Sequence, residues 1–246
     1  MNQYLEGKKP KVFIAGDSWG CGEWSDSIIN KTINHEGLCQ YLTDAGYTVI
    51  NSSHGGYSNS DSIRRLLTDI SQYYEPQDLI LWIQTDSFRD IDPSYTNFSQ
   101  HIINENGIDQ LVKKLLRASY QELDNIGKNL NTQIHLIGGM QDIDLQESAE
   151  FTNLNVLVTS WTRLLVGHML EFDTYFPQHT SGYNLARLLD KKLFNNELFF
   201  KTIDVLYQIE KNWRMFTEKI FHPDGSHPNR DGHKMLFEFI VNELKL

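Results

Sequence analysis

The chain has 246 residues, a mass of 28.6 kDa and a formal net charge of −10, from 22 Lys+Arg against 32 Asp+Glu. Apolar residues at 40% and charged residues at 22% are the proportions of an ordinary globular protein, which argues against global disorder and fits one large domain. The acidic balance repels phosphate backbones and so argues against a DNA- or RNA-binding role.

The one basic cluster, Lys8-Lys9-Pro10-Lys11, reads as a solvated entry to the first strand. Two cysteines, Cys21 and Cys39, cannot form a zinc site alone or a disulfide framework, and read as buried free thiols. No apolar stretch approaches the ~18–20 residues that span a bilayer. The segment from Met1 to Lys11 is polar, and the run Val12 to Ala15 is shorter than a signal-peptide core of ~7–15 residues. A cytoplasmic protein is therefore expected. An Asn-rich, Arg-poor composition fits an AT-rich bacterial or phage genome, so a phage-associated or non-classically released enzyme stays open.

In chain order, Lys11 to Gly16 reads as a buried strand ending in a tight turn. Thr48 to Asn51 is a second strand, Asp78 to Ile83 a third and Gln133 to Ile137 a fourth; Asn155 to Trp161 supplies a fifth. These are continuous apolar runs rather than strict alternations, as in strands covered on both faces of a parallel sheet. Between them, Ile63, Leu66, Leu67 and Ile70 have helical spacing, with Ser60 or Asp61 as the cap. A longer helix carries Ile108, Leu111, Val112, Leu115, Leu116, Leu123 and Ile126. Residues 162–217 read as mostly helical, interrupted near Pro177 to Ser181, and the last helix carries Met235, Leu236, Phe239, Ile240 and Leu244. No repeat or linker divides the chain. The strand–helix alternation predicts right-handed crossovers and one three-layer α/β/α domain over 1–246.

In such a sheet, chemistry belongs at the carboxyl ends of the strands. The first strand ends in Gly16-Asp17-Ser18-Trp19-Gly20 and the second in Asn51-Ser52-Ser53-His54-Gly55-Gly56-Tyr57. The third ends in Gln84-Thr85-Asp86-Ser87-Phe88-Arg89, and just before the final helix comes Asp224-Gly225-Ser226-His227-Pro228. A serine hydroxyl is a poor nucleophile until a histidine accepts its proton, and that histidine needs a carboxylate to fix its tautomer. Ser18, His227 and Asp224 supply all three parts.

The pattern resembles the SGNH hydrolases, also called GDSL-type esterases and lipases. Four blocks carry the resemblance in the family's order across residues 16–228: Gly16-Asp17-Ser18, then Asn51 with Gly56, then the stretch Ile83-Gln84-Thr85-Asp86, then Asp224-x-x-His227-Pro228. The resemblance implies a flavodoxin-like sandwich with a five-stranded, mostly parallel sheet, and hydrolysis of acyl esters without metal or organic cofactor. It makes Ser18 the nucleophile, His227 the general base and then acid, and Asp224 its orienting carboxylate. The oxyanion hole then uses the backbone N–H groups of Ser18 and Gly56, with Gly55 a neighbouring rival for the second. Its third donor in the family is an Asn side chain, where this chain has Thr85. A Thr hydroxyl reaches less far than an Asn amide, and Gln84 points to the opposite face of an extended strand. Thr85 donating directly, Thr85 donating through water, and a weaker hole remain open.

Asp17, Trp19, His54 and Tyr57 are candidate substrate contacts, and Trp24 and Trp161 could join them around the cleft or simply fill the core. Asp86 and Arg89 either pair with each other or brace the site, and the structural ion pair is the expectation taken first. His222, Asp224, His227 and His233 have ligand chemistry suited to zinc, but the triad already uses two of them and no metal is expected. The segment 162–217 is a candidate helical cap over the site, with a core-covering helical addition and a subunit contact as equal alternatives. The partner expected is a small-molecule or glycan ester, with a small acyl group such as acetyl. A lipase or thioesterase, a non-catalytic module on the same fold, and a flavodoxin are the competing readings. A flavodoxin needs small phosphate-cradling residues after the first strand, and Trp19, Cys21, Glu23 and Trp24 make a poor loop of that kind.

Overall fold

The computed structural model describes residues 9–24, 32–90, 105–161, 164 and 227–246, with the backbone alone at 88 and 105–112. The helical segment expected over 162–217, Leu164 apart, lies outside the described residues, as do His222 and Asp224.

The first strand, β1, is Lys11–Ala15. Its side chains alternate between two apolar layers: Val12 and Ile14 join one core cluster, Phe13 and Ala15 the other, and all four are fully buried. After β1 come the short helix α1 (Ser18–Cys21), β2 (Glu23–Trp24), β3 (Ile33–His35) and α2 (Gly37–Asp44). Then follow β4 (Thr48–Asn51), α3 (Asn59–Tyr73), β5 (Leu79–Gln84), a 3-10 turn (Ser87–Asp90) and α4 (Glu105–Leu130). The chain continues through β6 (Ile134–Gly138), α5 (Leu145–Ser148) and β7 (Leu154–Val158), and closes with α6 (Arg230–Leu244).

Five strands form one sheet in the order β4-β1-β5-β6-β7, every pair parallel. β5 repeats the alternation of β1. Leu81 and Ile83 face one cluster while Ile80 and Trp82 face the other, which is why neither strand reads as half polar. One face is covered by α2 and α6 through Leu38, Leu42, Leu236 and Ile240, the other by α3 and α4 through Ile63, Leu66, Tyr120 and Leu123. The result is the expected α/β sandwich of three layers. The order places β1 centrally with β4 on one side and β5 on the other. The connections leaving β1 and β4 therefore run to opposite faces and open a crevice at the carboxyl ends of β1 and β5.

Two local features differ from expectation and one is new. The α3 cap is Ser58, not Ser60 or Asp61: its hydroxyl accepts from the Asp61 N–H at 3.1 Å, and the Asp61 carboxylate reaches back to the Ser58 N–H, a reciprocal box. Leu67, counted in the apolar stripe, is exposed. The antiparallel pair β2–β3 is additional to the expected elements.

Candidate active site

β1 exits through Gly16, where an added Cβ would lie 2.9 Å from the Ile83 Cβ and 3.0 Å from its carbonyl. Only a glycine lets the chain turn this close to β5. Asp17 then caps α1, its Oδ1 accepting from the Trp19 N–H at 3.0 Å, and Ser18 becomes the first helical residue. The Ser18 Oγ lies 2.9 Å from the His227 Nε2, although 209 positions separate the two residues in sequence. Trp24 touches both: its Nε1 donates to the Ser18 carbonyl at 3.0 Å, and its ring sits 6.0 Å from the His227 ring, centroid to centroid.

His227 is placed by the first turn of α6, which is tied down at several points. Asn229 caps it through the Gly232 N–H at 3.0 Å. The Arg230 backbone N–H and guanidinium both donate to the Glu23 carboxylate, at 2.6 and 3.2 Å. The Leu38 N–H donates to the His233 Nδ1 at 3.2 Å, and the Trp161 Nε1 donates to the Gly232 carbonyl at 3.4 Å. His233 is fully buried, edge-on to Trp161 at 4.9 Å, and Trp161 in turn packs edge-on to Trp19 at 5.5 Å. Burial pushes the His233 imidazole down to about 3, so it is neutral at physiological pH. Trp161 and Trp19 are therefore core residues, and Trp19, at 4% exposure, is corrected as a substrate contact.

The loop after β4 wraps the same corner. The Asn51 side chain donates to the Gly20 carbonyl and accepts from the Ser53 N–H, both at 3.0 Å. The His54 N–H donates to the Gly16 carbonyl at 3.3 Å, and the Tyr57 N–H closes a turn onto the His54 carbonyl at 3.2 Å. That turn puts Gly56 at φ +86, a backbone angle that glycine alone adopts without strain. Among the described residues, no acceptor sits on the backbone N–H of Ser18 or of Gly56. His54 is exposed and Tyr57 half-buried. The two residues flank the glycine pair in sequence, and their rings stack on each other at 4.8 Å between centroids.

The greatest departure from expectation lies at the end of β5. Thr85 is fully buried, and its hydroxyl donates to the Asp17 Oδ2 at 2.6 Å. A threonine has one donor proton, so in this arrangement Thr85 does not offer it to an oxyanion. Its backbone is clasped by Asn59, whose Oδ1 accepts from the Thr85 N–H at 2.9 Å and whose Nδ2 donates to the Thr85 carbonyl at 3.3 Å. Asp17, fully buried, is likewise corrected from substrate contact to internal support. Its partners are Thr85, the Trp19 N–H and Arg89, whose guanidinium donates to the Asp17 Oδ2 at 2.8 Å. Arg89 thus pairs with Asp17 rather than with Asp86, to whose carbonyl it offers its backbone N–H at 3.0 Å. Gln84 points to the other face as expected, accepting from the Tyr120 hydroxyl at 2.7 Å and donating to the Asp142 carbonyl at 2.7 Å.

Both cysteines are free and buried. Burial pushes the Cys21 thiol up to about 12 and the Cys39 thiol up to about 11, so both are protonated and unreactive near neutrality. Among the described residues, no His, Cys, Asp and Glu cluster could hold a metal ion, and no helix is long and apolar enough to cross a membrane.

No family model and no curated protein matches the sequence. Among solved structures, the chain is similar to protein YxiM from Bacillus subtilis at a TM-score of 0.48 and 16% identity, covering 97% of this chain and 56% of that one. The chain thus spans little more than half of that protein's length. It is also similar to the psychrotrophic esterase EstA from Pseudoalteromonas sp., at a TM-score of 0.42 and 12% identity over 96% of this chain and 97% of that one. A third similar structure is Axe2, an acetyl-xylooligosaccharide esterase from a Geobacillus, at a TM-score of 0.42 and 15% identity over 98% and 96% of the two chains.

Proposed function

We propose that this protein is a serine ester hydrolase of the SGNH type, working through an acyl-enzyme on small O-acyl esters, foremost acetyl groups on carbohydrates. The observation that carries the reading is the 2.9 Å contact between the Ser18 Oγ and the His227 Nε2 at the carboxyl end of β1. A neutral imidazole at that distance accepts the hydroxyl proton as Oγ attacks the acyl carbon. The carbonyl electron pair moves onto its oxygen, toward the backbone N–H groups of Ser18 and Gly56. When the pair returns, the ester C–O bond breaks and His227 gives its proton to the departing alkoxide. Water then attacks the Ser18 acyl group by the same route in reverse, releasing the acid and restoring the serine. Asp224 is assigned the orienting carboxylate by its place in the motif. The accessible His54–Tyr57 stack and the Trp24 ring beside His227 offer aromatic faces of the kind that sugar rings lie against.

The test is hydrolysis of a p-nitrophenyl ester series by wild type and Ser18→Ala. The expected result is turnover that depends on Ser18 and declines as the acyl chain lengthens. A preference for long chains moves the assignment to a lipase or thioesterase. Absence of both turnover and Ser18 labelling by a reactive phosphonate rejects the hydrolase and leaves a binding module.

A further inference from the structure

We infer that Arg89 is a positioning residue that holds the two backbone N–H donors of the oxyanion site in register. The inference rests on the serine-hydrolase reading and extends it to a residue outside the four motif blocks.

The argument starts from what Arg89 touches. One guanidinium nitrogen, Nη1, lies 2.8 Å from the Asp17 Oδ2 and 3.2 Å from the Tyr57 carbonyl. Asp17 immediately precedes Ser18, and Tyr57 immediately follows Gly56. A single side chain is therefore bonded to the chain neighbour of each proposed N–H donor. The three residues come from three different strand exits: Asp17 from β1, Tyr57 from the loop after β4, and Arg89 from the turn after β5. β1 lies between β4 and β5 in the sheet, so Arg89 reaches across the mouth of the crevice and ties its two sides together. Its other nitrogen, Nη2, lies 3.2 Å from the Met140 Sδ, at the end of β6, which keeps the guanidinium plane from swinging away.

The need for such a clamp follows from Thr85. With that hydroxyl turned to Asp17, the side chain at position 85 does not supplement the two N–H groups, and among the described residues their mutual placement carries the stabilisation of the developing oxyanion. Gly56 sits on an exposed corner where an added Cβ would meet nothing within 4 Å, so packing does not immobilise it. Misplacement by about 1 Å is enough to cost on the order of a hundredfold in rate. The Arg89 side chain is 17% exposed and Asp17 not at all, so water competes poorly for these bonds. A planar guanidinium presents its donors in a rigid fork, which an ammonium does not reproduce.

The experiment compares wild type, Arg89→Lys and Arg89→Ala with p-nitrophenyl acetate. Active sites are titrated by a reactive phosphonate, so that kcat is expressed per functional Ser18. The expected result is a loss of at least tenfold in kcat for Arg89→Lys, with KM within twofold. Arg89→Ala is expected to lose more and to recover several-fold in dilute guanidinium chloride, which leaves wild type unchanged. A residue that only supported folding would lower the titratable fraction and the Tm and leave kcat per site intact. Retention of kcat within twofold in Arg89→Lys overturns the inference, and so does a loss confined to KM, which would make Arg89 a substrate ligand. If Arg89→Ala does not fold, Arg89→Lys, which keeps a cation opposite Asp17, decides alone. Wild type that neither turns over esters nor is labelled at Ser18 refutes the hydrolase reading itself, before any Arg89 variant is made, and this inference falls with it.

Discussion

Replacing Thr85 by valine tests the assignment of its hydroxyl to Asp17. The two side chains have nearly the same shape, so the change removes one O–H···O bond of 2.6 Å and little else. Both residues are fully buried, so water cannot take the hydroxyl's place. Asp17 keeps the Arg89 guanidinium at 2.8 Å and the Trp19 N–H at 3.0 Å, and its charge stays compensated. A hydrogen bond to a charged group is worth about 1.5–3 kcal/mol. In a domain of this size each kcal/mol moves Tm by about 2–4 °C, which gives an expected fall of about 3–12 °C. The rate should move far less. Loss of a true oxyanion donor costs ~10²–10³ in kcat, whereas Thr85→Val should stay within about tenfold of wild type. Scanning calorimetry and ester hydrolysis on the same preparation read both quantities. A hundredfold loss of kcat at unchanged Tm would refute the reasoning, because it would mean that the hydroxyl serves the reacting oxygen. An unchanged Tm with unchanged kcat would mean that the buried contact with Asp17 contributes nothing.

Two further outcomes follow from single residues. In Gly56→Ala the new Cβ has free space, so the cost comes from the backbone angle of +86 alone, about 1–2 kcal/mol; a turn that relaxes away from it takes the N–H with it. Steady-state kinetics should show a lower kcat at near-constant KM. His233 gives the fold an acid limb. Its unfolded imidazole titrates near 6.5 and the buried one near 3, so between those values the unfolded state holds the extra proton and stability falls as pH falls. The slope approaches 1.36 kcal/mol per pH unit in the middle of that window and vanishes above about pH 7. Urea midpoints at pH 7, 6, 5 and 4 should show it, and His233→Gln should flatten the curve; parallel curves for the two proteins would count against it.

The central strands β1, β5 and β6 were legible because they are buried on both faces. β1, β4, β5 and β6 fall within a residue of the apolar runs Lys11 to Gly16, Thr48 to Asn51, Asp78 to Ile83 and Gln133 to Ile137. β7 ends at Val158, short of the expected Trp161: the polar Thr159 and Ser160 intervene, and the tryptophan joins the core beyond the strand. β2 and β3 were not legible: two and three residues carry no periodicity, and Trp24 is anchored by a bond to Ser18 rather than by pattern. The start of α2 depends on a partner far away in the chain. Gly37 has φ +54 and leaves no room for a Cβ against His233, a contact between positions that no local window contains.

The site shows the same division. That Ser18 and His227 meet follows from placing motif residues at strand ends of a parallel sheet, and the 2.9 Å contact agrees with it. Proximity in sequence favours Asp86, one 3-10 turn away, as the ion-pair partner of Arg89, whereas the guanidinium pairs with Asp17. The better signal was Asp17. A carboxylate at the end of a strand buried on both faces has no water to face, and a buried charge must find donors or a cation. The sheet order sets β5 beside β1, with Ala15 level with Trp82, so two residues further on Asp17 comes level with Gln84 at the end of β5, next to Thr85 and just before the turn that carries Arg89. Those two supply the hydroxyl and the cation that Asp17 lacks. Read this way, the threonine at position 85 is a partner of Asp17 rather than a degraded asparagine. The constraint that recruits it also brings Arg89 to the mouth of the crevice, where its guanidinium can reach Tyr57.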